Sequence, residues 1–177
     1  FTFGDLENNT SPGGTYDDFT EDPELVFEYV VGETYDVSVT LGTNGGTYTK
    51  GAKVFIDWNY DGDFDDEGET VFTVDPQDLD WTAEGTITIP ADAPLGQKFL
   101  RVVVKETSTL SSITPCGTYT WGGTEDYKII LVSNSTPSAK FSADKTSVLV
   151  NETVTFTDNS SSGDAPEIDS WSWNFGE

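Results

Sequence analysis

Residues 57–69 read DWNYDGDFDDEGE, seven carboxylates in thirteen residues with neither Lys nor Arg among them. Asp57, Asn59, Asp61, Asp63 and Asp65 occupy every second position, and Gly62 follows Asp61 directly. In that register alternate side-chain oxygens turn toward one point while a glycine permits the sharp bend between them. The chemistry it suits is capture of a hard cation. Ca²⁺ takes about six to eight oxygen ligands from a flexible loop, whereas Mg²⁺ demands tighter octahedral geometry. The expected ligands are the side chains of Asp57, Asn59, Asp61 and Asp65, with Asp63 contributing through its backbone or side chain. Glu69 is an expected member of the set, and Asp66 and Glu67 complete it or form a solvated rim.

Comparison with an EF-hand loop exposes a difference. The twelfth position, where an EF-hand carries a bidentate Glu, is Gly68, flanked by Glu67 and Glu69, and the flanking sequence has strand periodicity on both sides. A calcium loop between strands remains, with Glu69, Glu125 or Asp126 open as the closing ligand. The competing reading is a solvated acidic turn, which is what most charge runs are. The alternate spacing and the placement of Gly62 favour the ion.

The same carboxylates are poorly suited to catalysis. Glycoside hydrolysis needs two carboxyls facing across a cleft, one in an apolar setting that raises its pKa, and a dense wet loop offers neither. Glu125 and Asp126 are adjacent, so on a strand they point to opposite faces. With no His and a single cysteine, Cys116, no Ser-His or Cys-His nucleophile system can be assembled. The Gly-rich pieces lack the Lys-Ser or Lys-Thr of a phosphate loop. A non-enzymatic role is expected.

Composition bounds the partners. Eight basic residues against 32 acidic ones give a formal net charge of −24 over 177 residues. Nucleic acid and anionic membrane surfaces are therefore poor partners and neither is expected, since phosphates are held by clustered Lys and Arg. No apolar run reaches the roughly 18 residues of a membrane-spanning helix, so no membrane insertion is expected. A lone cysteine excludes an internal disulfide. The acidity, the absence of Met and the low Lys content fit an extracellular protein. Five Trp, seven Tyr and eleven Phe supply enough apolar surface for a packed core.

The elements that must position the acidic loop read as strands. In YDVSVTL, residues Tyr35, Val37, Val39 and Leu41 share one face. Further runs are predicted at 26–30, 53–57, 69–74, 85–89, 98–105 and 127–132, separated by turn-rich pieces such as TSPGG, GTNGG and PADAPLG. No amphipathic helix is evident. SNSTPS at 133–138 has the composition of an interdomain linker, after which strand periodicity restarts at 140–143, 147–150, 154–157 and 171–175. Residues 1–132 are thus expected to form one domain and 139–177 part of a second, with the chain processed or cut from a longer polypeptide.

Three stretches carry a family resemblance: VFIDWNYDGDFDDEGE at 54–69, YDDFT at 16–20 and PCGTYTWGGTEDYKI at 115–129. Together they resemble the GEVED domain, named for a Gly-Glu-Val-Glu-Asp signature and found in large secreted or surface proteins of Bacteroidetes-type bacteria. The resemblance covers residues 1–132 and implies an all-β, non-catalytic accessory module beside peptidase, glycosidase or adhesin regions. In this chain the signature reads Gly122-Gly123-Thr124-Glu125-Asp126, so its first Glu is replaced by Gly123. The family's earlier cysteine, which would pair with the one matching Cys116, is missing. The segment AKFSADKTSVLVNETVTFTDNSSSGDAPEIDSWSWNFGE resembles the first half of a PKD domain, which implies an immunoglobulin-like spacer or weak interaction module.

The expected fold is therefore all-β: an antiparallel, jelly-roll-like β-sandwich followed by a partial immunoglobulin-like sandwich. The expected function is that of a calcium-stabilised accessory module, secreted or attached to a bacterial cell surface, that binds polysaccharide or protein. Aromatic residues in turns offer flat faces for sugars, and Trp121, Tyr119 and Trp81 are the candidates. The bland reading of such aromatics is that they cap the core, as Trp58 and Trp81 would. The alternative function is a purely structural segment of an adhesin, stalk or surface fibre.

Overall fold

The computed structural model describes residues 1–10, 16–43, 45–133, 138–162 and 168–174, and the chain divides into two compact units, Phe1–Val132 and Ser133–Glu177. The first unit contains ten strands: β1 (Thr2–Phe3), β2 (Leu6–Glu7), β3 (Asp17–Asp18), β4 (Phe27–Val30), β5 (Thr34–Leu41), β6 (Lys50–Ile56), β7 (Thr70–Gln77), β8 (Trp81–Thr88), β9 (Gly96–Glu106) and β10 (Gly122–Val132). They form a four-stranded sheet in the order β2-β1-β5-β8 and a larger sheet in the order β3-β10-β9-β6-β7, with β4 also pairing β10. The all-β sandwich follows.

Strand alternation explains the layering. On β5 the buried Val37, Val39 and Leu41 face inward while Asp36 and Thr40 are solvated, and on β8 Ala83 and Ile87 face inward while Glu84 and Thr88 are solvated. From the opposing sheet Ala52, Val54, Ile56, Leu100, Val102, Tyr127, Ile129 and Leu131 close the same core. Phe3 stacks on Tyr29 with centroids 4.4 Å apart, and the Tyr29 hydroxyl donates to the Phe3 carbonyl at 2.6 Å. Burial of both a phenol ring and its hydroxyl is tolerable because that hydroxyl is paired.

β6 lies mid-sheet and is buried along nearly its whole length. Its second face is covered by a smaller cluster of Phe55, Val103 and Ile113, onto which Phe64, Leu110 and Tyr119 pack. This outer cluster fixes where the acidic loop and the segment before β10 must lie.

The long strands pair antiparallel as expected, but β3 and β4 do not. Both run parallel to β10, with Asp17 opposite Glu125 and Phe27 opposite Ile129. These short segments add to the one free edge of β10, the other edge being taken by β9 over ten residue pairs.

The second unit contains β11 (Phe141–Ala143) and β12 (Phe156–Asp158), paired antiparallel. Phe141, Phe156 and Trp173 form a three-ring cluster with centroids 5.6 to 6.0 Å apart, and Trp171 Nε1 donates to Asp158 at 2.9 Å. The strand predicted at 147–150 is not formed. The Glu152 N–H instead donates to the Leu149 carbonyl at 3.1 Å in a turn containing Asn151 at φ 72°. Residues 171–174 are likewise not in a strand. Most of the predicted linker, residues 134–137, lies outside the described residues, as does Phe175. Among the described residues no helix is long and apolar enough to cross a membrane.

Candidate functional site

The acidic loop joins β6 to β7. Its two ends are sewn to the sheet, because the Ile56 N–H donates to the Glu69 carbonyl at 2.9 Å and the Asp57 N–H to the Phe99 carbonyl at 3.0 Å. Asp57 is buried, and its carboxylate accepts three backbone N–H groups: Tyr60 at 2.6 Å and Asp61 at 3.2 Å on Oδ1, and Gly62 at 3.0 Å on Oδ2. Backbone dipoles thus supply the compensation that no Lys or Arg in the loop provides.

A ladder of side-chain turns continues outward. Asn59 Oδ1 accepts from the Asp61 N–H at 3.1 Å, Asp61 Oδ1 from Asp63 at 3.2 Å, and Asp63 Oδ1 from Asp65 at 2.9 Å. Asn59, Asp61 and Asp63 therefore each brace the backbone two residues ahead. Gly62 sits at φ 95°, a conformation that costs other residues strain, so the glycine is required by the bend itself. The Asn59 amide donates to Asp61 Oδ2 at 2.9 Å and Asp66 Oδ2 at 2.6 Å.

Glu69 closes the loop from beneath. Its Oε1 accepts from the Trp58 N–H at 3.0 Å and its Oε2 from the Asp66 N–H at 3.2 Å. Burial pushes its pKa up, opposed by those two backbone hydrogen bonds and reinforced by Asp57 and Asp66. Trp58 packs in the main core and donates from Nε1 to the Gly68 carbonyl at 3.1 Å. Lys98 is buried nearby with its ammonium 5.8 Å from the Tyr60 ring centroid, and its pKa is lowered by burial against the pull of Asp57.

Other residues singled out by the sequence lie elsewhere. Asp57, Asn59, Asp61, Asp63, Asp65, Asp66, Glu67 and Glu69 share the one loop, but the carboxylates of Asp57, Asp61, Asp63 and Glu69 accept backbone N–H groups and Asp66 accepts from the Asn59 amide. Among the described residues no group of three or more His, Cys, Asp or Glu converges as a metal-holding cluster. Asp126 is not drawn to the loop, because the chain's single arginine holds it: Arg101 Nε reaches Oδ1 at 2.7 Å and Nη2 reaches Oδ2 at 2.6 Å. The Tyr16 hydroxyl adds a third bond to Oδ2 at 2.9 Å. Glu125 accepts from Thr10 and, at 2.7 Å, from the Tyr127 hydroxyl, so it too has local partners.

The three candidate aromatics are dispersed among different settings. Trp121 is 69% exposed. Tyr119 packs on the outer cluster and pairs with the Thr124 hydroxyl. Trp81 packs against the main core, with Nε1 buried and without a hydrogen-bond partner.

A pocket of about 480 Å³ opens beside the Arg101–Asp126 pair, lined chiefly by Tyr16, Arg101, Pro115, Cys116, Thr118 and Tyr119. Arg101 Nη1 donates to the Pro115 carbonyl at 2.9 Å and lies 3.8 Å from the sulfur of the exposed Cys116. Arg101 is absent from the residues that motif spacing singles out. A lone arginine between the apolar runs Phe99-Leu100 and Val102-Val103-Val104 was the one sequence signal for it.

The stretch from β6 through the acidic loop to the Arg101–Asp126 pair on β9 and β10 is also where the chain meets a known family. Residues 51–130 match the GEVED domain. The GEVED match therefore spans the loop, both residues of the ion pair and the segment that walls the pocket. It begins after β5, so the strands of the smaller sheet that precede it lie outside the matched region. No family match stands behind the PKD resemblance of the second unit. No curated protein and no solved structure matches the chain at a significant level.

Proposed function

We propose that Phe1–Val132 is a calcium-stabilised, non-catalytic accessory module of a larger secreted or surface-attached bacterial protein, and that it binds polysaccharide or protein. The GEVED match supports an accessory extracellular module. The observation that carries the calcium part is the ladder from Asp57 to Asp65 with Gly62 at φ 95° at its bend. Its carboxylates supply the oxygen donors that a hard cation of calcium's size takes, and binding would draw Asp61 and Asp63 from the backbone N–H groups they accept here. Asp57, Asn59, Asp61, Asp63 and Asp65 would hold the ion, with Asp66 or Glu67 at the rim. Glu69 faces two backbone N–H groups and braces the loop from below, so in this reading it joins the ion only by sharing an oxygen.

An ion bound only by the folded loop stabilises the fold by about 2.7 kcal/mol at one hundred times its dissociation constant. Melting with calcium and with chelator tests this: the melting temperature should fall on chelation, and Asp61→Ala should remove the difference. An identical melt in both conditions refutes the calcium site.

The structural reading, a stiffened segment without a ligand of its own, draws support from the dispersal of the candidate aromatics, since only Trp121 of the three is largely exposed. In either reading the second unit is a PKD-like spacer. Its exposed Phe141, Phe156 and Trp173 rings pack on one another.

A further inference from the structure

The guanidinium of Arg101 is held in place more firmly than an ion pair at a surface requires. Asp126 grips its Nε–Nη2 edge at 2.7 and 2.6 Å, the Pro115 carbonyl takes an Nη1 hydrogen at 2.9 Å, and the Phe64 ring lies 5.2 Å from its central carbon. Arginine carries five N–H groups, and these bonds to oxygen use three. Among the described residues the other two meet no oxygen acceptor, and Nη1 makes only a long 3.8 Å contact with the Cys116 sulfur. Arg101 also forms part of the wall of the 480 Å³ pocket, which lies within the roughly 300–1,000 Å³ range of small-molecule sites.

The charge around the pocket selects against anions. Asp126 already neutralises Arg101, β3 places Asp17 and Asp18 opposite Glu125 and Asp126, and the whole chain carries −24. A ligand carboxylate would meet repulsion with no unpaired cation to offset it. A neutral ligand with two neighbouring oxygens suits a planar donor fork, and vicinal hydroxyls of a sugar ring present such a pair. Tyr16 and Tyr119 line the same cavity and offer apolar ring faces to the C–H face of a sugar, while the Thr118 and Thr124 hydroxyls supply further polar contacts.

We propose that this pocket binds one unit of a neutral saccharide, with a vicinal diol on the outer N–H groups of Arg101 and the sugar ring against Tyr16 and Tyr119. The proposal rests on the binding-module reading above and gives it a site distinct from the three aromatics the sequence suggested, Tyr119 excepted. Asp126 and Phe64 are positioning residues, since each acts by fixing the arginine.

The test is a titration of the ¹⁵N-labelled full chain, in calcium, with methyl glucoside, methyl mannoside, cellobiose and maltose, with galacturonate and triglycine as contrasting probes. The Arg101 Nε–H resonance should shift saturably with at least one neutral sugar. Thr118→Trp, at an exposed lining position, should weaken that binding at least tenfold with the melting temperature unchanged. Retention on insoluble polysaccharides is measured in parallel. Retention without an Arg101 shift, or retention undiminished in Thr118→Trp, overturns the pocket assignment and leaves the binding module standing. A shift with galacturonate or triglycine alone overturns the neutral-saccharide assignment. Neither retention nor a shift with any probe overturns both.

Discussion

The ring of Phe64 lies over the guanidinium of Arg101, 5.2 Å from its central carbon, and 6.1 Å from the ring of Phe55. A residue of the acidic loop therefore packs on the arginine that walls the pocket two strands away from β7. The loop and the pocket share this one aromatic contact.

Phe64→Ala should cost about 1–2 kcal/mol in urea unfolding, below the cost of truncating a fully buried Phe because Phe64 is only partly buried. It should also narrow the difference in melting temperature between calcium and chelator, because a less ordered loop binds the ion more weakly. An unchanged unfolding midpoint would mean that the loop is held by its backbone ladder alone.

Gly62 offers a cleaner probe of the bend. A Cβ at that position would meet no atom within 4 Å, so Gly62→Ala acts through its φ of 95° and nothing else. The expected loss is about 1–2 kcal/mol, with weaker calcium binding by calorimetry, since the variant must distort the loop to relieve the strain.

Removing one partner of the Arg101–Asp126 pair leaves the other partly buried and unpaired. Arg101→Met should therefore cost about 2–3 kcal/mol, less than for a fully buried pair because the arginine side chain retains some exposure. Asp126→Asn keeps a hydrogen-bond acceptor for Arg101 and should cost less. Denaturant midpoints of the two variants check that order.

The acid limb of the stability curve has a nameable contributor. A hydrogen bond from Lys50 holds the Asp80 carboxyl below its ordinary range, with the ion pair at 2.7 Å. The folded pKa lies below the unfolded one, so this stability is present above the unfolded value and is lost as pH falls through the folded value. Asp80→Asn should be less stable than the parent at neutral pH, and the gap should close in acid. A gap that is constant with pH would assign the loss to packing.

Gly85 on β8 marks a close approach between the sheets. A Cβ there would lie 2.5 Å from Cε2 of Phe72, a stiff ring with little room to move. Gly85→Ala should cost about 1–3 kcal/mol by overpacking, and Phe72→Leu in the same chain should recover part of it. Thermal melts of the single and double variants measure the recovery.

Legibility in the sequence tracked the range of the interaction. β5 was readable because Val37, Val39 and Leu41 alternate within one short window. β8 starts four residues before the predicted run because Ala83 and Glu84 are poor strand formers whose placement is decided by pairing with β5. The loop's architecture was legible for the same local reason, as Asn59, Asp61 and Asp63 each bond two residues ahead and Asp57 bonds within five. Arg101 and Asp126 are 25 residues apart and meet only because β9 and β10 pair in one particular register. Residues 147–150 have strand composition, yet Leu149 and Val150 are largely exposed and the segment bends at Asn151. Alternation alone does not make a strand where no neighbour supplies hydrogen bonds.

The bond from the Gly62 N–H to Asp57 also bears on how the protein should age. An Asp-Gly sequence isomerises when the glycine nitrogen attacks the preceding side-chain carboxyl, a reaction that glycine's lack of a side chain makes easy. In Asp61-Gly62 that nitrogen is tied to a buried carboxylate and its backbone is fixed at φ 95°. The ordered loop should thus be its own preservative, with isoaspartate at position 61 expected to form only while the loop is open.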